Sequence, residues 1–213
     1  MVEQAWLPGL DTLDLRVVEM DGWERSMRWV DTGLEWIATS PALDTPESAL
    51  LYPATIWFEA TSMSYGRGTE DPFRVVAAPW LDAEAAMAEL SERGLPGVTF
   101  SAGEIRPELL PGITVEPAFL GEQLPAIHLE VTNPATIEPT ELGLHLLDVV
   151  LAQALANDIE LLARPAWLDQ LSGNTRLRTE IESGDLDIEA ILADRPSALS
   201  SIVGPLEDAY LYE

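Results

Sequence analysis

The sequence predicts a mixed fold of helices and strands, α/β or α+β, and three segments carry this prediction. Residues 126–132 alternate apolar and polar side chains, which is typical of a half-buried strand. Residues 83–93 form a helical segment between a capping Asp82 and a terminating Gly94. Residues 140–157 are apolar on most sides, which indicates a helix at the centre of a core.

The N-terminal part of the chain predicts a strand, an irregular crossing and a short helix. Residues 13–20 have the apolar spacing of a strand, whereas residues 23–36 are aromatic, contain Arg and have no regular period. Thr45 can cap a helix that has Pro46 at its first position. We expect Pro53 to end that helix.

Residues 55–61 are rich in β-branched and aromatic side chains, so they predict a strand that leads into the polar loop 62–69. A second unit begins near Phe73. Its further predicted elements are strands at 74–78, 98–100 and 113–119 and short helices at 166–171, 174–183 and 188–194.

The 213 residues suit one large or two small domains, and their formal net charge is −26, from 11 Arg, no Lys and 37 Asp or Glu. This charge excludes a nucleic-acid binder that neutralises phosphates, and it disfavours docking on an anionic membrane. Because 47% of the residues are apolar and seven are Trp, the chain is expected to fold. A surplus of acidic residues without Lys indicates adaptation to high salt.

The sequence indicates no targeting or membrane segment. The first six residues lack the basic and apolar regions of a secretory leader. The longest apolar tract, residues 142–156, is interrupted by polar side chains and is shorter than the roughly 20 residues of a membrane span. The sequence has no Cys and therefore no disulfide framework. It gives no indication of an oxidising or a reducing compartment.

One loop combines the residue types of an anion-binding site. Gly66 and Gly68 flank Arg67, and glycine permits backbone conformations and close approaches that a Cβ forbids. The planar Arg67 guanidinium can hold a carboxylate by two parallel hydrogen bonds. Glu59 lies near the end of the predicted strand that leads into this loop, where α/β folds place ligands. The alternative is structural: Arg67 ties the turn to a local carboxylate, and Glu59 is a solvated strand residue.

The two histidines predict no metal site. His145 lies inside the apolar helix and is expected to be a hydrogen-bonded core residue. His128 shares a strand face with Glu130, so it is either exposed or site-lining. Two His without Cys make a zinc centre improbable. The sequence contains no Walker loop, dinucleotide fingerprint or nucleophile elbow, so we expect no cofactor.

Short motifs spread over most of the chain, in conserved order and spacing, resemble one known family. The motifs are Gly22-Trp23-Glu24-Arg25, Ser40-Pro41, Glu47-Ser48-Ala49-Leu50-Leu51-Tyr52-Pro53, Phe58-Glu59-Ala60-Thr61, Gly66-Arg67-Gly68-Thr69, Pro72-Phe73, Ala78-Pro79-Trp80, Gly94-Leu95-Pro96-Gly97-Val98, Leu168-Asp169-Gln170-Leu171-Ser172-Gly173, Arg178 and Tyr210-Leu211-Tyr212. In these motifs the chain resembles the exo-β-N-acetylmuramidase family, formerly a domain of unknown function.

The resemblance implies a longer, two-domain glycosidase of which this chain is the later part. Such enzymes place a Rossmann-like catalytic domain before an auxiliary domain, and the active cleft lies between the two. By this comparison residues 1–70, with the Gly-Arg-Gly loop, are a remnant of the catalytic domain, and residues 71–213 are the auxiliary α/β domain. The family commonly has Asn where this chain has Ala42 and Ser62.

The resemblance also implies an activity, the release of terminal N-acetylmuramic acid from peptidoglycan fragments in bacterial cell-wall recycling. Glu59 would be one of the two carboxyl groups that hydrolyse a glycosidic bond. Arg67 would hold the lactyl carboxylate of the sugar, and Trp57, Tyr65 or Trp80 would give it an apolar platform. The other expected substrate-binding residues are Gly66, Gly68, Thr69, Ser62 and Tyr65.

Several interpretations stay open on the sequence alone. The chain is a hydrolase that is incomplete without an N-terminal half, or it is an inactive module that binds muropeptides or another protein. A third interpretation is a piece of a longer reading frame. A separately encoded N-terminal half or a homodimer would cover the predicted strand at 13–20, since an orphaned strand edge is prone to pairing. The compartment is periplasmic or secreted by resemblance, or cytoplasmic if Met1 is the true N-terminus.

Overall fold

A computed structural model describes residues 14–110, 116–204 and 210–212. The chain divides into two units, Glu35–Ala190 and a smaller one formed by Met1–Leu34 with Ile191–Glu213. The larger unit runs across residue 70. The domain boundary that the resemblance implies at that position stays a prediction.

The described residues contain a small sheet and six α-helices, which confirms the mixed fold class. The strands and helices are β1 (Val75–Ala77), β2 (Val98–Ile105), β3 (Leu124–Val131), α1 (Pro46–Thr55), α2 (Ala83–Glu92), α3 (Pro139–Ala156), α4 (Pro165–Ser172), α5 (Arg176–Ser183) and α6 (Ile188–Val203). The short helices predicted at 166–171 and 174–183 are confirmed as α4 and α5.

The sheet has the order β1-β3-β2, and both pairings are antiparallel. Val75 faces His128 across the first pairing, and Phe100 faces Leu129 across the second. The predicted strand at 126–132 is confirmed, with Ile127 and Leu129 buried. Because the helices lie outside an antiparallel sheet, the arrangement is of the α+β type.

The central helix of the core is α3, as its all-round apolar sequence predicts. Its side chains Leu146, Leu147 and Val150 are fully buried, and α3 packs against α1 and α2. Burial of such side chains contributes about 1.5–3 kcal/mol each relative to exposure. This packing joins the segment that carries the candidate site to the rest of the larger unit.

The predicted N-terminal caps of α1 and α2 are confirmed, and so is the predicted C-terminal glycine of α2. The Thr45 hydroxyl accepts a hydrogen bond from the Ser48 amide at 3.0 Å, and the Asp82 carboxylate accepts one from the Ala85 amide at 3.0 Å. Each cap satisfies an amide that has no partner inside the helix. Gly94 follows α2 with φ of +66°, the left-handed conformation that ends a helix.

The strand predicted at 55–61 is wrong, because Ile56–Ala60 form a 3₁₀ helix that continues α1. The Thr55 hydroxyl lies 3.1 Å from the Leu51 carbonyl and 3.0 Å from the Phe73 carbonyl, and these contacts hold the chain in helical geometry. Phe58 is fully buried from this helix. β-Branched and aromatic residues suit any half-buried surface, so the packing overrides their strand preference.

Two other predicted strands are not formed. Residues 14–20 form no strand in the described chain, and Leu13 lies outside the described residues. In the segment predicted at 113–119, residues 116–119 form no strand and Phe119 has φ of +59°, whereas 113–115 lie outside the described residues. Conversely, β2 is longer than the predicted 98–100, because all eight of its residues pair with β3.

Two helices run past their predicted ends. Pro53 does not end α1, because the helix continues through it to Thr55, and Ala54 and Thr55 are fully buried against the core. Proline there removes one amide donor without breaking the last turn. Helix α6 continues beyond residue 194, through Pro196, to Val203.

The smaller unit contains one 3₁₀ helix, Trp29–Thr32, in the irregular segment predicted at 23–36. The Tyr212 hydroxyl accepts a hydrogen bond from the Met20 amide at 2.6 Å, and its ring packs edge-on against Trp23 at 4.8 Å. These contacts hold residues 20–23 to the end of the chain. Nowhere in the described ranges is a helix both long and apolar enough to span a bilayer.

Candidate functional site

Glu59 lies on the 3₁₀ helix Ile56–Ala60, not on a strand, and its side chain is 19% exposed. The guanidinium of Arg164 lies 3.5 Å from its carboxylate and also donates a hydrogen bond to its backbone carbonyl. The amides of Ala163 and Arg164 both donate to the Ala60 carbonyl, at 3.0 and 2.9 Å. The segment before α4 therefore fixes the turn that carries Glu59.

The loop after this turn is closed by backbone hydrogen bonds. Ser64 pairs with Ala77 of β1 in both directions, at 2.8 and 2.9 Å, and the Phe73 amide donates to the Tyr65 carbonyl at 3.0 Å. The Glu108 amide donates to the Gly68 carbonyl at 2.7 Å. The loop is thus anchored to the sheet at its base and to residue 108 at its tip.

Both glycines of the Gly-Arg-Gly sequence are required by the geometry. Gly66 has φ of +84°, and a Cβ there would collide with the Asp71 carbonyl oxygen. Gly68 has φ of +83°, and a Cβ there would lie 2.6 Å from the Glu108 carbonyl oxygen. Positive φ and close backbone approach are the two conditions that select glycine. The loop conformation therefore fixes where Arg67 stands.

Arg67 stands over aromatic rings. Its guanidinium carbon lies 5.5 Å from the Tyr65 ring centre and 5.8 Å from that of Phe73, within the range of cation–π contact. Its Nε is buried and has no hydrogen-bond partner. Within the described chain, no carboxylate lies within 4.0 Å of this guanidinium. The structural alternative, in which Arg67 ties the turn to a local carboxylate, is therefore not what these residues form.

The hydroxyl of Tyr65 is subject to the charges of both Glu59 and Arg67. Burial raises the pKa of its hydroxyl above the ordinary value of 10.0, and the neighbouring Arg67 opposes this effect, in part through a hydrogen bond. The Glu59 carboxylate adds to the rise in pKa, while Arg164 counteracts it. Glu59, Arg67 and Arg164 thus all act electrostatically on the Tyr65 hydroxyl.

The hydroxyls of Thr69 and Ser62 are engaged inside the protein. Thr69 donates to the Gly66 carbonyl at 2.7 Å and accepts from the Asp71 amide at 3.0 Å, which holds the Gly-Arg-Gly turn. Ser62 donates to the Glu160 carbonyl at 3.1 Å, which ties the loop to the segment before α4. In this structure both side chains support the loop that presents Arg67.

The apolar platform candidates have different surroundings. Tyr65 and Trp57 are half-buried and pack against a core cluster of Ala42, Ile56 and Phe73. Trp80 is also half-buried. Of the three aromatic residues, Tyr65 is the one placed beside Arg67 by a measured contact.

Arg164 was not predicted from the sequence as a site residue. It lies 105 positions from Glu59 and is the N-cap residue of α4, where it also stands 5.9 Å from the Trp167 ring. The sequence does hold one indication, because each of the 11 Arg residues is conspicuous in a chain of net charge −26. Only the fold brings this one to Glu59.

The two histidines lie in separate polar contacts. The Nδ1 atom of His145 accepts a hydrogen bond from Arg93 at 2.9 Å, which confirms the expected hydrogen-bonded residue, although its ring is only partly buried. Burial, followed by the charge of Arg93, lowers the pKa of His145 below 6.5. The Nδ1 atom of His128 lies 3.8 Å from the Asp71 carboxylate. Among the described residues, no group of three or more His, Asp or Glu is placed to hold a metal ion.

Comparison with family models gives two matches that share the chain between them. The family described as exo-β-N-acetylmuramidase NamZ, C-terminal, matches residues 50–201. The corresponding N-terminal model matches residues 1–47. The peptidoglycan β-N-acetylmuramidase NamZ of Bacillus subtilis (strain 168) is 34% identical over 171 residues, which are 80% of this chain and 39% of that protein.

Two solved structures have a similar fold. A DUF1343 family protein from Bacteroides fragilis NCTC 9343 superposes with a TM-score of 0.75 at 25% identity, covering 90% of this chain and 49% of that one. A second DUF1343 family protein from the same organism has a TM-score of 0.58 at 23% identity, over 83% of this chain and 44% of its own, and shares the fold. The chain therefore spans half or less of the length of these relatives. By the match of its residues 50–201 and its likeness to the Bacillus protein, the chain belongs to the exo-β-N-acetylmuramidase NamZ family.

Proposed function

We propose that this chain is the later part of a peptidoglycan exo-β-N-acetylmuramidase and that Arg67 binds the lactyl carboxylate of a terminal N-acetylmuramic acid. The observation that carries the proposal is that the buried Nε of the Arg67 guanidinium has no hydrogen-bond partner and that no carboxylate of the described chain lies within 4.0 Å of this group. The protein has 37 acidic residues, yet this half-buried Arg pairs with none of the described carboxylates. Its guanidinium can therefore bind the carboxylate of a ligand.

The chemistry of the sugar supports the same residue. N-acetylmuramic acid differs from N-acetylglucosamine by its lactyl ether, which ends in a carboxylate. A guanidinium presents donors in a planar fork that matches a carboxylate in two parallel hydrogen bonds. Arg67 is held by the Gly66–Gly68 turn and by the Tyr65 and Phe73 rings, so little side-chain freedom is lost when the ligand binds.

Glu59 is the carboxyl group that we assign to catalysis in this chain. Glycoside hydrolysis uses one carboxyl group as acid and a second as base or nucleophile. Its contact with Arg164 at 3.5 Å supports a fixed position for the Glu59 carboxylate, and the partner acid would come from the N-terminal domain. The Tyr65 hydroxyl lies under the influence of both Glu59 and Arg67, where it would donate to a sugar oxygen.

Calorimetry with N-acetylmuramic acid and N-acetylglucosamine tests the binding role. We expect heat of binding for the first sugar only, and at least about a tenfold loss of affinity in Arg67→Ala. Arg67→Lys retains the charge without the planar fork, so it should recover only part of the affinity. The matched control is Arg106→Ala, which removes an exposed Arg from the same unit. Equal affinity of the wild type and Arg67→Ala would refute the carboxylate-binding role.

The catalytic role is tested by release of a chromophore from a β-N-acetylmuraminide. The chain is assayed alone and with the N-terminal domain of the Bacillus relative added. We expect turnover only in the combined sample, and its loss in Glu59→Gln. Binding of the sugar without turnover in any sample would favour the alternative, an inactive muropeptide-binding module. Unchanged turnover in Glu59→Gln would remove this residue from the mechanism.

A further inference from the structure

The segment 14–34 exposes an unusual amount of apolar surface. None of these residues is buried, and Val18 is 93% exposed. Scattered exposed apolar side chains are normal, but a contiguous group of them marks an interaction surface. The large apolar side chains exposed in this segment are Leu15, Val17, Val18, Met20, Val30 and Leu34.

The backbone of the same segment is also unpaired. In the described part of the chain, residues 14–20 belong to no helix or strand, and residues 14–19 make no backbone hydrogen bond to another segment. A segment that has the apolar spacing of a strand and unpaired amides and carbonyls can add to an exposed sheet edge. The sequence pattern of a strand is therefore present here without a sheet to complete it.

A hollow of about 420 Å³ lies on the smaller unit beside this stretch. Its apolar lining includes Met20, Trp23, Met27 and Leu34. A hollow of this kind can receive an apolar side chain from a partner, as the anchors of protein interfaces do. The segment thus combines unpaired backbone groups with a hollow that can bind an apolar side chain of a partner.

The family matches point to one partner for this surface. Residues 1–47 match the N-terminal family model, yet the whole chain covers only 39% of the Bacillus relative. The segment 14–34 accordingly belongs to a domain of which these 213 residues hold a small part. We propose that residues 14–34 are the docking surface for the remaining portion of a NamZ N-terminal domain, with residues 14–20 adding as a strand to an edge of its sheet.

A second copy of the chain is a poorer occupant of this surface. Each copy carries a formal net charge of −26, so a homodimer would bring two strongly repelling surfaces together. The inference rests on one part of the proposed function, that this chain is the later part of a NamZ protein, and not on the assignment of Glu59 or Arg67. Calorimetry with N-acetylmuramic acid tests Arg67 without the second domain, so failure of docking and failure of sugar binding are distinguishable.

The test titrates the full chain with the N-terminal domain of the Bacillus relative, ending where its match to this chain begins. Calorimetry and sedimentation should show a one-to-one complex with micromolar or tighter affinity. Val18→Asp should weaken it at least about tenfold, because a charge enters the apolar contact. Val17→Pro should weaken it similarly, because a ladder donor is lost.

The control for both variants is Leu109→Asp, which places the same charge on an exposed Leu of the larger unit. It should leave the affinity unchanged. Val17 and Val18 are exposed, and residues 14–19 make no described backbone hydrogen bond, so neither variant should alter the circular dichroism of the chain alone. The proposal is overturned by absence of a complex, by an equal loss in Leu109→Asp, or by a homodimer that Val18→Asp dissociates.

Discussion

The guanidinium of Arg164 lies 3.5 Å from the carboxylate of Glu59 and donates to the backbone carbonyl of the same residue. The Arg164 side chain therefore contacts both the carboxylate and the backbone carbonyl of a residue 105 positions away. The contact joins the N-terminus of α4 to the 3₁₀ helix that carries Glu59. We expect it to orient the carboxylate more than it stabilises the fold.

Arg164→Met should lower turnover of the combined enzyme without unfolding the chain. The Arg164 side chain is 52% exposed, so its ion pair contributes at most about 1 kcal/mol to the free energy of unfolding. A misplaced carboxylate costs about tenfold or more in kcat. Urea denaturation and chromophore release measure the two effects. Arg164→Lys should recover part of the rate, and Arg106→Met, which removes an exposed Arg elsewhere in the larger unit, should change neither. Wild-type kcat in Arg164→Met would contradict the positioning role.

Gly66→Ala and Gly68→Ala should each destabilise the protein by about 2–4 kcal/mol, measured by urea denaturation. Both positions have positive φ, and both Cβ atoms would meet a backbone carbonyl that cannot move independently. Gly94→Ala is the control, because Gly94 has φ of +66° but no atom within 4 Å of its added Cβ. It should cost only about 1 kcal/mol. Equal losses at all three positions would show that close approach does not matter.

Tyr65 should ionise at higher pH than an ordinary tyrosine. The ultraviolet difference between wild type and Tyr65→Phe isolates its phenolate signal. Because the Glu59 carboxylate raises the pKa of Tyr65 and the Arg67 guanidinium lowers it, Glu59→Gln should move the titration down and Arg67→Met should move it up. Shifts of the opposite sign would mean that these charges do not face the hydroxyl.

The same pKa shift predicts a fall in stability in alkali. The folded-state pKa of Tyr65 lies above 10.0, so the folded protein retains a proton that the unfolded chain releases. The contribution is fully present below pH 10.0 and is lost as the pH rises from there through the folded-state pKa. Tyr65→Phe should flatten this part of the urea-denaturation profile. An unchanged slope would show that Tyr65 is not the group responsible.

His145 should make stability fall on the acid side of neutrality. Its Nδ1 accepts from Arg93, and Glu141 and Asp148 also face the ring. Burial and the Arg93 charge lower its pKa below 6.5, so the unfolded chain binds the proton more readily. The contribution is present above pH 6.5 and is lost as the pH falls through the folded-state pKa. His145→Gln should flatten this loss in urea denaturation at about pH 7 and about pH 5, whereas Ser91→Ala should leave it as in the wild type.

The melting temperature should rise from low salt to about 1 M salt, because ions screen the repulsion within a chain of net charge −26. Differential scanning calorimetry in sodium chloride measures the rise, with sucrose as the uncharged control. A flat or falling melting temperature would contradict adaptation of this surface to salt.

Local chemistry made several parts of the fold predictable. The caps Thr45 and Asp82 act on amides within their own helix turn, so their spacing suffices to place α1 and α2. The alternation of apolar and polar side chains in β3 predicts burial of one strand face. The apolar side chains on most sides of α3 likewise predict a buried helix. Gly66 and Gly68 could be recognised beside Arg67 because no other residue type adopts that backbone freely.

Residues 55–61 show why other parts could not be predicted. The segment has the composition of a strand, yet the contact of the Thr55 hydroxyl with the Phe73 carbonyl and the burial of Phe58 keep it helical. The sequence by itself determined the acidic composition, the N-terminal caps of α1 and α2 and the Gly-Arg-Gly turn, because the caps and the turn depend on neighbours a few positions away. Only the tertiary structure decided that Arg164 meets Glu59 and that Arg67 stands over Tyr65 without a carboxylate, because such pairings depend on packing between distant segments.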